Sequence, residues 1–260
     1  MWSAWPEDAT HDRLIGPWHF YQRRGGHRTS TDDILAAWLA VRLWRGTPPR
    51  RYIDIGCGIG SVLLMTAYRL QPVHIVGIEA QEQSATMAHR SVSELPEDAP
   101  RIEIVHQDLR EAALAHADLM TGSPPYFPIG SGVPSPDPQR FACRFETRGG
   151  VEAYLDAAAR LLAPEGLFTL VFIAREIERV EAAAQRAGLV ECGRSLWKTR
   201  EDHADAFLSV HAFCHATAQR ATEPPFLYDG AVRTENGEYT EAYMNVRRMM
   251  HLDSMGFSKK

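Results

Sequence analysis

Apolar and polar positions along this chain follow two alternating periods, and the switches between them mark out its elements. Arg51-Tyr52-Ile53-Asp54-Ile55 is a short, nearly apolar run, the pattern of a strand covered on both faces. Behind it Val62, Leu63, Leu64, Ala67 and Leu70 recur at helical spacing. Strand-like runs return at 74–78, 102–105, 118–122 and 167–173. Helical patterns separate them at 81–94, briefly at 111–115, at 150–162 and at 176–187. Two final runs, 189–198 and 207–214, predict an antiparallel hairpin. Strands alternating with helices predict an α/β fold of Rossmann-like type, with a mainly parallel central sheet and helices on both faces.

The ends of the chain are less regular. Residues 1–16 show no period and read as an irregular segment. Trp18-His19-Phe20-Tyr21-Gln22 has strand character and Gly25-Gly26 signals a turn. His27-Arg28-Thr29 then predicts the return strand of a hairpin. Ser30 or Thr31 can cap a following helix, with Asp32 and Asp33 favourable in its first turn. Its apolar face is Ile34, Leu35, Trp38, Leu39 and Leu43, and Pro48-Pro49 close it. Residues 128–147 carry Pro, Gly and Ser without a period, and a loop of that length inside a domain is usually functional. The expected organisation is one domain, with an N-terminal extension over 1–49, a core over 50–216 and a C-terminal segment over 217–260.

Composition narrows the class. Apolar residues make up 45%, enough for a full core, so wholesale disorder is excluded. With 28 basic and 33 acidic residues the chain carries a net charge of −5. That weighs against nucleic-acid binding through a bulk positive field and leaves a local basic patch open. Cys57, Cys143, Cys192 and Cys214 form no Cys-x-x-Cys pair, so no metal site is expected. No apolar run is long enough to span a bilayer; no membrane partner and a cytoplasmic setting are the expectation.

Candidate chemistry starts at the end of the first core strand. Gly56, Gly58 and Gly60 occupy alternate positions directly before a helix, where the backbone turns tightly and a ligand can approach it. A dinucleotide fingerprint needs its third glycine at position 61, which is Ser61. The second strand ends at Glu79, nineteen residues past Gly60, a place suited to accept hydrogen bonds from ribose hydroxyls. The pattern Asp54-x-Gly56-x-Gly58-x-Gly60 instead resembles the first motif of class I S-adenosylmethionine-dependent methyltransferases. Cys57 reads there as a small apolar filler.

At the end of the fourth strand stands Ser123-Pro124-Pro125-Tyr126. Two prolines fix the local backbone and leave carbonyls with no amide of their own residue to compete. The adjoining ring offers a face for stacking a flat base; a rigid turn with a core tyrosine is the bland alternative. The segment resembles the (Asn/Asp/Ser)-Pro-Pro-(Tyr/Phe/Trp) motif of methyltransferases acting on amines conjugated to a planar system. Gln22, Arg28 and Thr31-Asp32-Asp33-Ile34-Leu35-Ala36-Ala37-Trp38 are similar to the N-terminal signature of the bacterial tRNA(Val) adenine-N6 methyltransferase family. Phe141 to Glu146, and Val232-Arg233-Thr234 with Glu238-Tyr239-Thr240-Glu241-Ala242-Tyr243, resemble two further segments of that family. The likeness runs from about Phe20 to Tyr243.

This resemblance implies S-adenosyl-L-methionine as cofactor and an RNA substrate, a tRNA. It implies cofactor contacts from Asp54, Gly56, Cys57, Gly58 and Gly60, from Glu79 and Ala80, and from Gln107, Asp108 and Leu109 near the cofactor's adenine. Thr31 and Asp32 would line its methionine end, and Ser123 would face both cofactor and substrate. Ser123, Pro124, Pro125 and Tyr126 would be the catalytic group: the serine and the Pro124 carbonyl accept the amine's hydrogens while the ring stacks on the base. Family members usually carry Asn where this chain has Ser123, so the target stays open between adenine N6 and cytosine N4. A glutamine side chain in a protein is the enzyme alternative, and a cofactor-binding module without activity is the non-enzyme one. Arg28, Arg140, Arg144 and Arg148 either contact phosphates or form a solvated surface. His74 and His106 read as structural.

Overall fold

The computed structural model describes residues 5–133 and 135–252. Ten strands and seven α-helices occur among them. An N-terminal pair, β1 (Ala9–Ile15) and β2 (Trp18–Arg23), precedes α1 (Thr31–Leu43). The core then runs β3 (Arg51–Ile55), α2 (Ser61–Leu70), β4 (His74–Glu79), α3 (Glu82–Ser93), β5 (Ile102–His106) and β6 (Ala117–Gly122). It continues through α4 (Pro138–Arg144), α5 (Val151–Leu161), β7 (Leu162–Ile173), α6 (Ile177–Arg186), β8 (Leu189–Arg200) and β9 (Leu208–His215), and closes with β10 (Phe226–Arg233) and α7 (Glu241–Met249).

Eight strands form one sheet in the order β10-β8-β9-β7-β6-β3-β4-β5. Strand β9 runs antiparallel to β7 and β8, and the other neighbours are parallel. The chain leaves β3 outward through β4 to β5, then returns to the other side of β3 as β6. The crevice beyond the ends of β3 and β6 is therefore the switch point at which such sheets bind ligands. Both faces are covered, as apolar parallel strands require. One face packs under α1, α2, α3 and the N-terminal hairpin, with Leu35, Leu39, Leu63 and Trp197 fully buried. The other packs under α5 and α6, with Leu155, Phe168 and Val180 buried. Helix α1 is buried almost all round, because α2, α7 and the sheet all pack against it. Its start is thereby anchored at the crevice.

Four expectations are corrected. The hairpin forms upstream: Trp18–Arg23 pairs backward with Ala9–Ile15, and 27–29 is not a strand. Leu14, Ile15, Trp18 and Phe20 carry it into the core against α2 and α3, while the polar outer positions of β1 hid its period. Residues 1–4 of the supposedly irregular stretch lie outside the described residues. The helix expected at 111–115 is absent, because Arg160 of α5 takes the carbonyls of Leu109, Arg110 and Ala112 at 3.0–3.3 Å. The loop at 128–147 contains α4, capped by Asp137, whose side chain accepts from the Arg140 amide, with Pro138 at the first helical position. Strand β10, parallel to β8, falls in the C-terminal segment and was not anticipated; of that segment, 253–260 lies outside the described residues.

Candidate active site

A cleft of about 820 Å³ opens at the switch point. The turn after β3 carries Gly56 and Gly58 with positive φ of 67° and 57°. A Cβ on Gly58 would meet nothing within 4 Å, so that backbone faces open space in the cleft. A Cβ on Gly56 would fall on the Tyr154 hydroxyl and lie 2.8 Å from its Cζ, so this glycine admits the α5 tyrosine. Gly60 is buried and caps α2; among the predicted site glycines it alone does not line the cleft.

Two buried acids flank the turn. Glu79, at the end of β4, accepts the Gly58 amide at 2.8 Å and the Gln81 amide at 2.6 Å. Burial raises its pKa, and these two amides oppose the rise. A carboxylate has about four acceptor positions, so Glu79 retains capacity toward the cleft. Asp54 Oδ1 accepts the Thr121 hydroxyl at 2.6 Å, and Tyr52 meets that hydroxyl at 2.7 Å. Asp54 Oδ2 lacks a hydrogen-bond partner. Burial lifts the Asp54 pKa to about 7, against the pull of Thr121 and of the Leu63 amide in the first turn of α2.

The remaining predicted residues converge on the same cleft. Ala80 follows β4, and Gln107, Asp108 and Leu109 follow β5. Arg110 is paired with Asp108 at 2.7 Å and holds its carboxyl below the usual range. Thr31 and Asp32 enter from the first turn of α1, and Ser123, Pro124, Pro125 and Tyr126 from the end of β6. The Tyr126 hydroxyl donates to Asp32 Oδ2 at 2.9 Å, joining the two groups. Arg28, Arg140, Arg144 and Arg148 all line the cleft, and Arg28 also pairs with Asp12 at 3.1 Å. His74 is exposed outside it, and His106 bonds the Ala80 carbonyl at 3.1 Å.

Sequence reasoning missed His27, Asp33 and Cys143. Asp33 accepts the Ser30 amide at 3.1 Å, and burial, reinforced by Asp32, raises its pKa well above the usual range. Burial lowers the His27 pKa, so this imidazole is neutral near pH 7 although Asp32 pulls the other way. The Cys143 thiol is pushed up to about 12 by burial and is no nucleophile. Asp33 was legible only as a first-turn acid of α1, and nothing local marks His27 or Cys143; the β2–α1 connection, α1 and α4 bring the three in. Helix α4 sits beside the cleft because Arg23 pairs with Asp137 at 2.8 Å and Gln139 Nε2 donates to Ser84 at 3.0 Å.

Comparison with known proteins agrees with this geometry. Residues 29–132 match the model of the methyltransferase small domain family. A protein of Tolumonas auensis named tRNA1(Val) (adenine(37)-N6)-methyltransferase is 33% identical over 68% of this chain and 73% of its own length. One of the same name from Serratia proteamaculans is 30% identical over 83% of this chain and 80% of its own. Among solved structures, a predicted O-methyltransferase of Agrobacterium tumefaciens has a TM-score of 0.59 at 19% identity, covering 83% of this chain and 96% of its own. A 16S rRNA N2 G1207 methyltransferase of Thermus thermophilus, solved with AdoMet and guanosine, has a TM-score of 0.54 at 20% identity, covering 80% of this chain and 50% of its own. These two likenesses establish the class I methyltransferase fold. The open space at Gly58, the spare acceptors of Glu79 and the cleft volume fit S-adenosyl-L-methionine, the cofactor of that class. The relatives carry the assignment further: this chain belongs to the tRNA1(Val) (adenine(37)-N6)-methyltransferase family.

Proposed function

We propose that the protein transfers a methyl group from S-adenosyl-L-methionine to the N6 amine of an adenine in a tRNA. One observation carries the reading. The glycine turn and the Ser123-Pro124-Pro125-Tyr126 turn end neighbouring, hydrogen-bonded parallel strands and face one cleft at the switch point. When bound, the cofactor supplies a methyl carbon made electrophilic by its sulfonium.

The chain's own residues do the rest by positioning. Asp54, Gly56, Cys57 and Gly58, with Thr31 and Asp32, hold the methionine end; Glu79 with Ala80 takes the ribose, and Gln107, Asp108 and Leu109 the adenine. Ser123 Oγ and the Pro124 carbonyl accept hydrogens of the target amine, which aims its lone pair at the methyl carbon. Tyr126 stacks on the base, which must leave its own stack to reach the cleft. No strong base is required, because the amine loses a proton only after the new bond forms. Arg28, Arg140, Arg144 and Arg148 at the cleft meet the RNA phosphates, which lets a chain of net charge −5 dock a polyanion locally. The protein works in the cytoplasm, where its tRNA is; no helix among the described residues is long and apolar enough to cross a membrane. Residues 1–49, 50–216 and 217–260 act as one domain.

The test is transfer from isotopically labelled S-adenosyl-L-methionine to tRNA, followed by nucleoside digestion and mass spectrometry. Labelled N6-methyladenosine is expected. Labelled N4-methylcytidine would overturn the choice of base, and label confined to protein would overturn the choice of RNA.

A further inference from the structure

Phe127 directly follows the tyrosine assigned to the target base, and it lines the same cleft. Its backbone is clamped. The Phe127 amide donates to the Arg144 carbonyl at 3.0 Å, and the Phe127 carbonyl accepts the Glu146 amide at 2.9 Å. Arg179 of α6 holds the Glu146 carboxylate at 2.7 Å, so the clamp is itself anchored. The Phe127 ring leans on Phe145, with centroids 5.9 Å apart. Phe145 is buried, whereas Phe127 is only half-buried. A rigidly held ring therefore keeps part of its surface open at the cleft. Two residues on, Ile129 is 66% exposed, so apolar surface continues outward from the ring.

Positive charge gathers at this ring. The guanidinium carbon of Arg144 lies 5.6 Å from its centroid, and that of Arg175 lies 6.0 Å away. Arg144 is exposed and has no ion pair among the described residues. Arg175 is 69% exposed and has a single long pair, to Glu176 at 3.7 Å. Two like charges beside one ring, with so little carboxylate against them, suit an anion. Both side chains lie on the surface and can swing from the ring to a phosphate, which uncovers the ring. An aromatic face beside mobile guanidinium groups is the chemistry of a nucleotide subsite.

We propose that Phe127, with Arg144 and Arg175, forms a second nucleotide subsite that stacks the base adjoining the methylated one and binds its phosphate. The inference rests on the reading of this cleft as the site of RNA methylation. It also defines the RNA. The rings of Tyr126 and Phe127 stand 6.5 Å apart at 74° to one another. Bases stacked on each other are parallel, so one base on each ring requires the two to part. The substrate is then a single-stranded loop whose neighbouring bases splay, and a duplex is refused.

The experiment measures KM for methyl transfer to three tRNAs: the intact molecule, and two derivatives in which the nucleotide on the 5′ or the 3′ side of the mapped methylation site is abasic. Phe127→Leu should raise KM for intact tRNA about tenfold, the lower end of what one base–aromatic stack is worth. On one of the two abasic RNAs the same change should cost less than about twofold, because the stack is already gone. On the other abasic RNA the full loss should remain. Phe127→Tyr keeps the stack and should stay within about twofold of wild type on all three. The Kd for S-adenosyl-L-methionine should stay near wild type throughout. Arg175→Ala should lessen the dependence of log KM on log salt by about 0.7 to 0.9, the share of one phosphate. Equal losses from Phe127→Leu on all three RNAs would mean that the ring only supports its neighbours, and would overturn the proposal. So would no loss at all, or an unchanged salt dependence in Arg175→Ala, which decides the matter if Phe127→Leu does not fold. A wild-type protein that methylates no RNA overturns the functional reading and this one with it; an active wild type with equal losses on the three RNAs overturns the subsite alone.

Discussion

Gly56 and Gly58 stand two residues apart in one turn, both with positive φ, yet the structure gives them different tasks. Replacing either by alanine places an L-residue in the left-handed region, at about 1–2 kcal/mol. For Gly58→Ala little else follows within the protein, because the new methyl group meets nothing within 4 Å. For Gly56→Ala the methyl group falls on Tyr154, whose ring is only 7% exposed and packed beneath the sheet. Overpacking adds about 1–3 kcal/mol, for a total of about 2–5 kcal/mol. At about 2–4 °C per kcal/mol for a chain of this size, Gly58→Ala should lower Tm by about 2–8 °C and Gly56→Ala by about 4–20 °C. Calorimetric unfolding checks the first half of the expectation. Titration with S-adenosyl-L-methionine checks the second: Gly58→Ala should lose most of its affinity while remaining folded, since its methyl group projects into the cleft. Gly58→Ala binding the cofactor as wild type does would refute the assignment of that space. Equal melting of the two variants would refute the Tyr154 argument.

Other outcomes follow from the same geometry. Asp54 is raised by burial to about 7 from 3.8, so between these values the native state binds the proton that the unfolded state releases. Stability should fall as pH rises from about 4 to 7, by at most about 4 kcal/mol for this group; urea unfolding should show the gain from Asp54→Asn to be larger at pH 8 than at pH 5. Tyr126→Ala should cost about 1–3 kcal/mol of base stacking, read as a raised KM for tRNA, while the Kd for S-adenosyl-L-methionine stays near wild type. Arg179 ties Glu146 at 2.7 Å and Glu152 at 2.7 Å, joining the end of the 128–147 segment to α5 and α6. Arg179→Ala should cost about 1–3 kcal/mol and speed amide exchange in α4, with the exchange of β3 and β6 unchanged.

The sequence by itself determined the core of this fold, because its information is local there. Buried parallel strands must be apolar runs, the intervening helices must carry a 3.6-residue period, and a turn with positive φ selects glycine. Val62 to Leu70, Leu167 to Ile173 and the glycines after Ile55 could be read on those grounds alone. The two turns that face the cleft were legible for the same reason, since each is one continuous segment at a strand end.

What lay beyond local reach was decided by tertiary packing. Both Gly16-Pro17 and Gly25-Gly26 can turn the chain beside Trp18–Arg23, and only the apolar contacts of Leu14 and Ile15 with the core select the first. Arg160 unmakes a helix at 111–115 from a separate element by taking its carbonyls. Asp137-Pro138 was a readable start for α4, but its seat beside the cleft comes from Arg23 and Ser84, distant in sequence. His27, Asp33 and Cys143 reach the site in the same way. The bond from Tyr126 to Asp32 joins residues 94 positions apart. No periodicity encodes such a contact, because it exists only once α1 has packed across the sheet and brought its first turn to the end of β6.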